Sequence, residues 1–197
     1  MAQHPATAFP RARTALLLID VINPFQFPNG RRFAKAWLPA ARRIAALRDR
    51  ARAARCPVVY VNDNFGQWKS DFARIVRLCG AAGMPGAEQV RLLAPAPEDF
   101  FVLKPTLSGF HETPLHLLLK SGGVRTVILT GFAADICVFF TAADAYMREY
   151  GVIVPEDCIA AESARDLRHS LRAMTRLFKA RTTPSRALRL SSISSRA

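Results

Sequence analysis

Short apolar runs recur along the chain, and each ends at a polar residue, glycine or proline. ALLLI (15–19) stops at Asp20, PVVYV (57–61) at Asn62, FFVL (100–103) at Lys104, TVILT (126–130) at Gly131 and VIV (152–154) at Pro155. Runs of this length without strict alternation fit strands buried on both faces, as in a parallel sheet. Between them, apolar residues recur at helical spacing and predict helices over 35–54, 72–78, 114–120 and 136–149. A last helix over 165–179 leads to a sixth strand near 187–190. Connections this long exclude hairpins, so the pattern predicts an α/β domain: three α/β/α layers around a mostly parallel six-stranded sheet. No repeat or Gly/Ser-rich linker divides the 197 residues. One domain over 1–197 is expected, with flexible ends at 1–12 and 191–197, and APAP (94–97) as a surface connection.

Composition narrows the class. Half the residues are hydrophobic and 22% are charged, which excludes global disorder. The apolar runs fall far short of the roughly 20 residues that span a bilayer. No secretory pattern opens the chain, so a cytoplasmic protein without membrane partners is expected. The net charge of +13 is uneven: residues 1–60 hold 11 basic against 2 acidic residues, 61–164 hold 8 against 12, and 165–197 hold 9 against 1. The basic excess flanks the acidic middle and reads as solvated helix faces. It has no interleaved aromatics or reader motif, so no nucleic-acid partner is expected. Cys56, Cys79, Cys137 and Cys158 form no Cys-x-x-Cys pair and have no histidine at zinc spacing, so reduced thiols are expected.

Ligands of an open parallel sheet bind beyond the carboxyl ends of its strands. Asp20 closes the first strand, Asn62-Asp63-Asn64 the second and Lys104 the third, and the loop from Gly131 reaches Cys137 at the start of a helix. A carboxylate, an ammonium and a thiol can meet there. Helix N-terminal N–H groups lower a thiol's pKa and can hold an oxyanion. Asp20 would accept the thiol proton and pass it to a leaving amine, with Lys104 as electrostatic support. A buried ion pair beside a core cysteine is the alternative for the same three residues. Asp135 is expected to fix its loop or cap the helix. His111, His116 and His169 read as surface or capping residues.

The stretches LLLIDVINPF (16–25), FVLKPTLSGF (101–110) and TGFAADICVFFTAADA (130–145) resemble, in order and spacing, the isochorismatase-like cysteine hydrolases, a likeness that covers roughly residues 14–160. The resemblance implies a six-stranded parallel sheet and a catalytic triad falling on Asp20, Lys104 and Cys137. It also implies a non-proline cis peptide just before Ala133, whose N–H would join that of Cys137 in an oxyanion hole. Two departures matter. Ala134 stands where many relatives carry Thr, and the Asp-x-His metal pattern of the nicotinamidases is missing, because Phe65 lies two residues after Asp63 and no His occurs between there and His111. A metal-independent enzyme with no cofactor is therefore expected. Isochorismatases proper cleave an enol ether without a cysteine nucleophile, so Cys137 favours C–N hydrolysis.

VVYVNDNFGQWKSDF (58–72) looks like an uncharacterised bacterial branch of that family. Asn62, Asn64 and Gln67 offer amide groups, while Phe65, Trp68 and Phe25 offer flat walls, as a small amide, carbamoyl or ureido compound requires. Phe65 and Trp68 could equally pin the loop to the domain or to another subunit. The expected assembly is a homodimer or homotetramer. The competing readings are a non-catalytic ligand-binding or interaction module of the same fold and an enol-ether hydrolase.

Overall fold

A computed structural model describes residues 8–190. The elements run β1 (Thr14–Ile19), α1 (Gly30–Ala53), β2 (Val58–Asp63), α2 (Phe72–Cys79), α3 (Ala87–Leu92), β3 (Phe100–Lys104), α4 (Leu115–Ser121), β4 (Thr126–Phe132), α5 (Cys137–Met147), β5 (Gly151–Val154), β6 (Ile159–Ala160), α6 (Ala164–Phe178) and β7 (Arg181–Thr182), then a 3-10 turn at Ser185–Ala187. The strands are ordered β3-β2-β1-β4-β5-β7, with β6 added beside β4, and every pair is parallel.

Successive side chains of the buried strands point to opposite faces, which builds two cores. Leu16, Leu18, Tyr60 and Ile128 pack against Trp37, Ala41, Ile44 and Leu47 of α1, with α2 and α3 beside them. Leu17, Ile19, Val61 and Leu129 pack on Leu115 and Leu119 of α4, Val138 and Ala142 of α5 and Met174 of α6. This is the three-layer α/β/α arrangement read from the sequence.

The differences have local causes. The sheet has seven strands, and 187–190 is not one of them: Leu188 and Leu190 are buried apolar residues around a 3-10 turn. The edge position goes to β7, two residues paired with Ile153 and Val154, and β6 is equally short. Neither can show a hydrophobic period. Helix α1 begins at Gly30, not 35, with Pro39 inside it, and α3 was not anticipated because six residues give under two helical turns. The expected flexible ends at 1–7 and 191–197 lie outside the described residues. Within 8–12, the Phe9 ring packs on Phe100, 4.7 Å between centroids, and the Ala12 N–H donates to the Gly122 carbonyl. No helix among the described residues is long and apolar enough to cross a membrane.

The strand ends position the site. Gly131 has φ +119°, and a Cβ there would lie 2.0 Å from the Ile19 carbonyl oxygen. Glycine thus lets β4 close against β1 where both chains enter their functional loops.

Candidate active site

Asp20, Lys104 and Cys137 leave the carboxyl ends of β1, β3 and β4 and converge. Lys104 Nζ lies 2.9 Å from Asp20 Oδ2 and 3.5 Å from Cys137 Sγ, and donates to the Thr106 carbonyl at 2.9 Å. The ammonium is fully buried and Asp20 is 4% exposed, whereas the Cys137 thiol is half-buried and open to an incoming group. The Asp63 N–H donates to Asp20 Oδ1 at 2.7 Å, holding the carboxylate from its other side. Asp63 Oδ2 also sits 3.7 Å from Lys104 Nζ.

The charges are set by burial. Desolvation raises the Asp20 carboxyl even against Lys104. For Lys104, burial pulls the other way but is outweighed by Asp20, Cys137 and Asp63, so the ammonium is held charged. Burial, reinforced by Asp20 and only partly opposed by Lys104, pushes the Cys137 thiol up to about 12. This corrects the expected lowering at a helix N-terminus: the resting thiol keeps its proton beside the carboxylate. Alkylation of wild-type Cys137 by iodoacetamide should therefore still be climbing with pH at pH 9. A plateau below pH 8 would contradict that.

The peptide bond between Phe132 and Ala133 is cis. The next turn brings the Val138 and Ile136 N–H groups to the Ala133 carbonyl and Ala134 N–H to Ala160, leaving the Ala133 and Cys137 N–H groups without an acceptor among the described residues. The Cys137 N–H is on the same residue as the thiol, and backbone N–H groups without an acceptor are what an oxyanion requires. Asp135 does not cap α5, whose N-terminus has no side-chain cap. One of its carboxylate oxygens is buried without a partner.

The other sequence candidates spread out. The Asn62 side chain accepts from Ile22 N–H and donates to the Ile22 carbonyl, so it fixes the loop after Asp20. Asn64 is buried, its side chain taken by Gly66 N–H and its own N–H by the Lys104 carbonyl. Phe25 lies in the core against Trp37 and Phe132, so it presents no open wall. Phe65 and Gln67 line a cavity of about 420 Å³ with Gln26, Ile75, Leu78 and Met84. Trp68 is 78% exposed and does not line it.

Asp63, the Thr106 carbonyl and Thr141 were missed as site residues. Thr141 Oγ1 donates to the Cys137 carbonyl at 2.6 Å and accepts the Gly109 N–H at 3.0 Å, tying the loop after Lys104 to the first turn of α5. A second tie runs from Ser108 Oγ to Asp144. Threonine four residues after a helical carbonyl often back-bonds this way, so the signal lies in the loop contact, which sequence does not show. Thr141→Val should strand the buried Gly109 N–H, cost about 1–3 kcal/mol and lower kcat about tenfold, while Thr141→Ser retains both. Equal kinetics for the two variants would show that the tie does not position the site.

Among the described residues no three His, Cys, Asp or Glu side chains gather in a way that could hold a metal, and Asp63 is turned to Lys104. The residues present do not fit a metal site of the nicotinamidase pattern, and no step is derived through one.

A parallel α/β/α sheet that brings a buried carboxylate and ammonium at strand ends to a thiol at the start of a helix has the groups of a cysteine hydrolase. The isochorismatase domain model matches residues 14–185, and the chain belongs to the isochorismatase family. It is a hydrolase of that family. It is 40% identical over 173 residues to the uncharacterized isochorismatase family protein YaaI of Bacillus subtilis, covering 88% of this chain and 94% of that one. It is 32% identical over 181 residues to the ureidoacrylate amidohydrolase RutB of Methylorubrum extorquens, covering 79% and 73%. The solved N-carbamoylsarcosine amidase of Thermoplasma acidophilum superposes with a TM-score of 0.69 at 29% identity, covering 89% of this chain and 98% of that one.

Proposed function

We propose that the protein is a metal-independent cysteine hydrolase that cleaves a C–N bond of a small amide, carbamoyl or ureido compound. The observation that carries this reading is the Cys137 thiol 3.5 Å from the ammonium of the buried Asp20–Lys104 pair, and the acceptor-free Ala133 and Cys137 N–H groups support it. Relatives named for ureidoacrylate and N-carbamoylsarcosine hydrolysis support the substrate class.

The substrate carbonyl enters with its oxygen towards the Ala133 and Cys137 N–H groups. Cys137 Sγ attacks as its proton passes to Asp20, giving a tetrahedral oxyanion. Collapse breaks the C–N bond, and Asp20 returns the proton to the leaving nitrogen. Asp20 then takes a proton from water, the water oxygen attacks the Cys137 thioester or thiocarbamate, and the thiol is regenerated. Lys104 stays charged throughout and limits the cost of keeping Asp20 ionised. Asn62 and Asn64 hold the loops that frame the substrate, and Phe65 and Gln67 face its variable end, while Phe25 supports its loop from the core against Trp37 and Phe132. Trp68 reaches substrate only if its loop closes.

Ureidoacrylate and N-carbamoylsarcosine are the first compounds to assay for ammonia release. Wild-type turnover of a ureido or carbamoyl compound is expected, with Cys137→Ala reducing it at least 10³-fold in a folded protein. Turnover retained in Cys137→Ala would reject the thioester route; cleavage of an enol ether by that variant, dependent on Asp20, would favour enol-ether chemistry.

A homodimer or homotetramer is part of the same proposal. Ile136, just before α5, and Phe140 and Met147 within it are exposed, with Met147 71% exposed. The proposed occupant of this stripe is a second copy of the chain, because its first residue adjoins Cys137 and pairing would wall the site. A monomer by light scattering at assay concentration would remove this part.

A further inference from the structure

A second cleft opens at the other end of the sheet, where strands begin. Gly123–Arg125 immediately precede β4 and Arg148–Tyr150 immediately precede β5. With His116 and Lys120 of α4 and Met147 of α5 they enclose about 430 Å³. The mechanism above uses none of these residues.

Its lining is cationic. Lys120, Arg125 and Arg148 face one carboxylate, Glu149. Arg148 is matched by Asp144 at 2.6 Å and lies over the Phe110 ring. Lys120 and Arg125 have no carboxylate within 4 Å among the described residues, so two positive charges stand uncompensated. They stand around a polar, partly buried floor: Tyr150 is buried, with its hydroxyl 3.1 Å from His116 Nδ1. Burial raises the Tyr150 phenol, and Arg148 and Arg125 both oppose that rise, so their fields converge on the same spot.

Two helix C-termini border the cleft, and free carbonyls there would repel an anion. Most of those carbonyls are already engaged. Lys120 O accepts from Gly123 N–H, Leu119 O from Val124 N–H, Asp144 O from Arg148, Ala145 O from Tyr150 N–H and Tyr146 O from Glu149 N–H. What reaches the cleft is chiefly the side-chain charge. Two unpaired cations match a dianion, Arg offers two parallel donors to its oxygens, and the volume leaves room for a small organic group on the Tyr150 side.

We propose that this cleft is a binding site for a small phosphate monoester, separate from the catalytic centre. The dianionic group is held between Lys120 and Arg125, with His116 and the Tyr150 hydroxyl as hydrogen-bonding partners.

Isothermal titration of the full chain with glycerol 3-phosphate at pH 7.5 and fixed ionic strength tests this, with inorganic phosphate and succinate as comparison probes. Saturable one-to-one binding is expected, weakened at least tenfold by Lys120→Ala/Arg125→Ala. It should be unchanged in Arg168→Ala/Arg172→Ala, which removes the same charge from the exposed face of α6. Both pairs are exposed, and circular dichroism verifies their folding. Absence of saturable binding, or equal weakening by both pairs, would overturn the site and leave only general attraction to a basic protein. Binding of inorganic phosphate as tight as glycerol 3-phosphate, or tighter succinate binding, would overturn the phosphate-monoester assignment.

Discussion

Asp20→Asn is expected to make Cys137 more reactive to iodoacetamide while destroying hydrolysis. Beyond burial, Asp20 is the strongest influence raising the Cys137 thiol, and Lys104 is the main one lowering it. The neutral amide removes the first and frees the second to pair with a thiolate. One pKa unit is a factor of ten in thiolate well below the pKa, so labelling at pH 8 should rise at least tenfold. Turnover should fall about 10²- to 10⁴-fold, because nothing remains to receive the thiol proton and return it to the leaving nitrogen. Labelling that slows or stays constant in Asp20→Asn would mean that the carboxylate activates the resting thiol, contrary to this charge arrangement.

Lys104→Met is expected to be the most destabilising single change at the site. It leaves the Asp20 carboxyl 4% exposed with its main counter-charge removed. Breaking such a pair costs about 3–5 kcal/mol near neutral pH. The sign of the pH dependence follows from Asp20, whose folded pKa already lies above the ordinary carboxyl value because of burial. Removing Lys104 raises it further. A group raised in the folded state contributes its stability below the unfolded pKa and loses it as pH rises through the folded one. The deficit of Lys104→Met against wild type should therefore be small near pH 4 and grow towards neutrality. Asp20→Asn/Lys104→Met should recover much of it, since both buried charges are gone. Urea unfolding at pH 4 and pH 7 reads wild type, Lys104→Met and the double variant. A Lys104→Met protein as stable as wild type at pH 7, or a double variant no better than the single, would contradict the buried pair.

The parts of the fold legible in the sequence were those with enough residues to show a period. Five strands were visible as buried runs, and their polar terminators Asp20 and Lys104 fall at the ends of β1 and β3, on either side of β2. The two-residue β6 and β7 were invisible because pairing, not pattern, defines them, and Leu188 and Leu190 imitated a strand by being buried for another reason. At the site, the placement of Cys137 near the start of α5 was legible from chain position, whereas the strand order was not. The electrostatics were not legible either, because a helix N-terminus lowers a thiol's pKa only when burial and a neighbouring carboxylate do not outweigh it. The roles of Asn62 and Phe25 depend equally on contacts across the chain: Asn62 clamps Ile22, forty residues away, and Phe25 turns into a cluster with Trp37 and Phe132. Both residue types suit a binding loop, and composition alone cannot separate that from the packing they do here.

The central claim is that the Cys137 thiol attacks the substrate carbonyl. Its most direct test is timed iodoacetamide labelling at pH 8, with label at each of the four cysteines read by peptide mass and ammonia release from a turned-over ureido or carbamoyl compound read in the same samples. The account predicts that label appears first at Cys137, because Cys56, Cys79 and Cys158 are buried, and that activity is lost one-for-one with it. Full turnover in protein quantitatively labelled at Cys137 would contradict it.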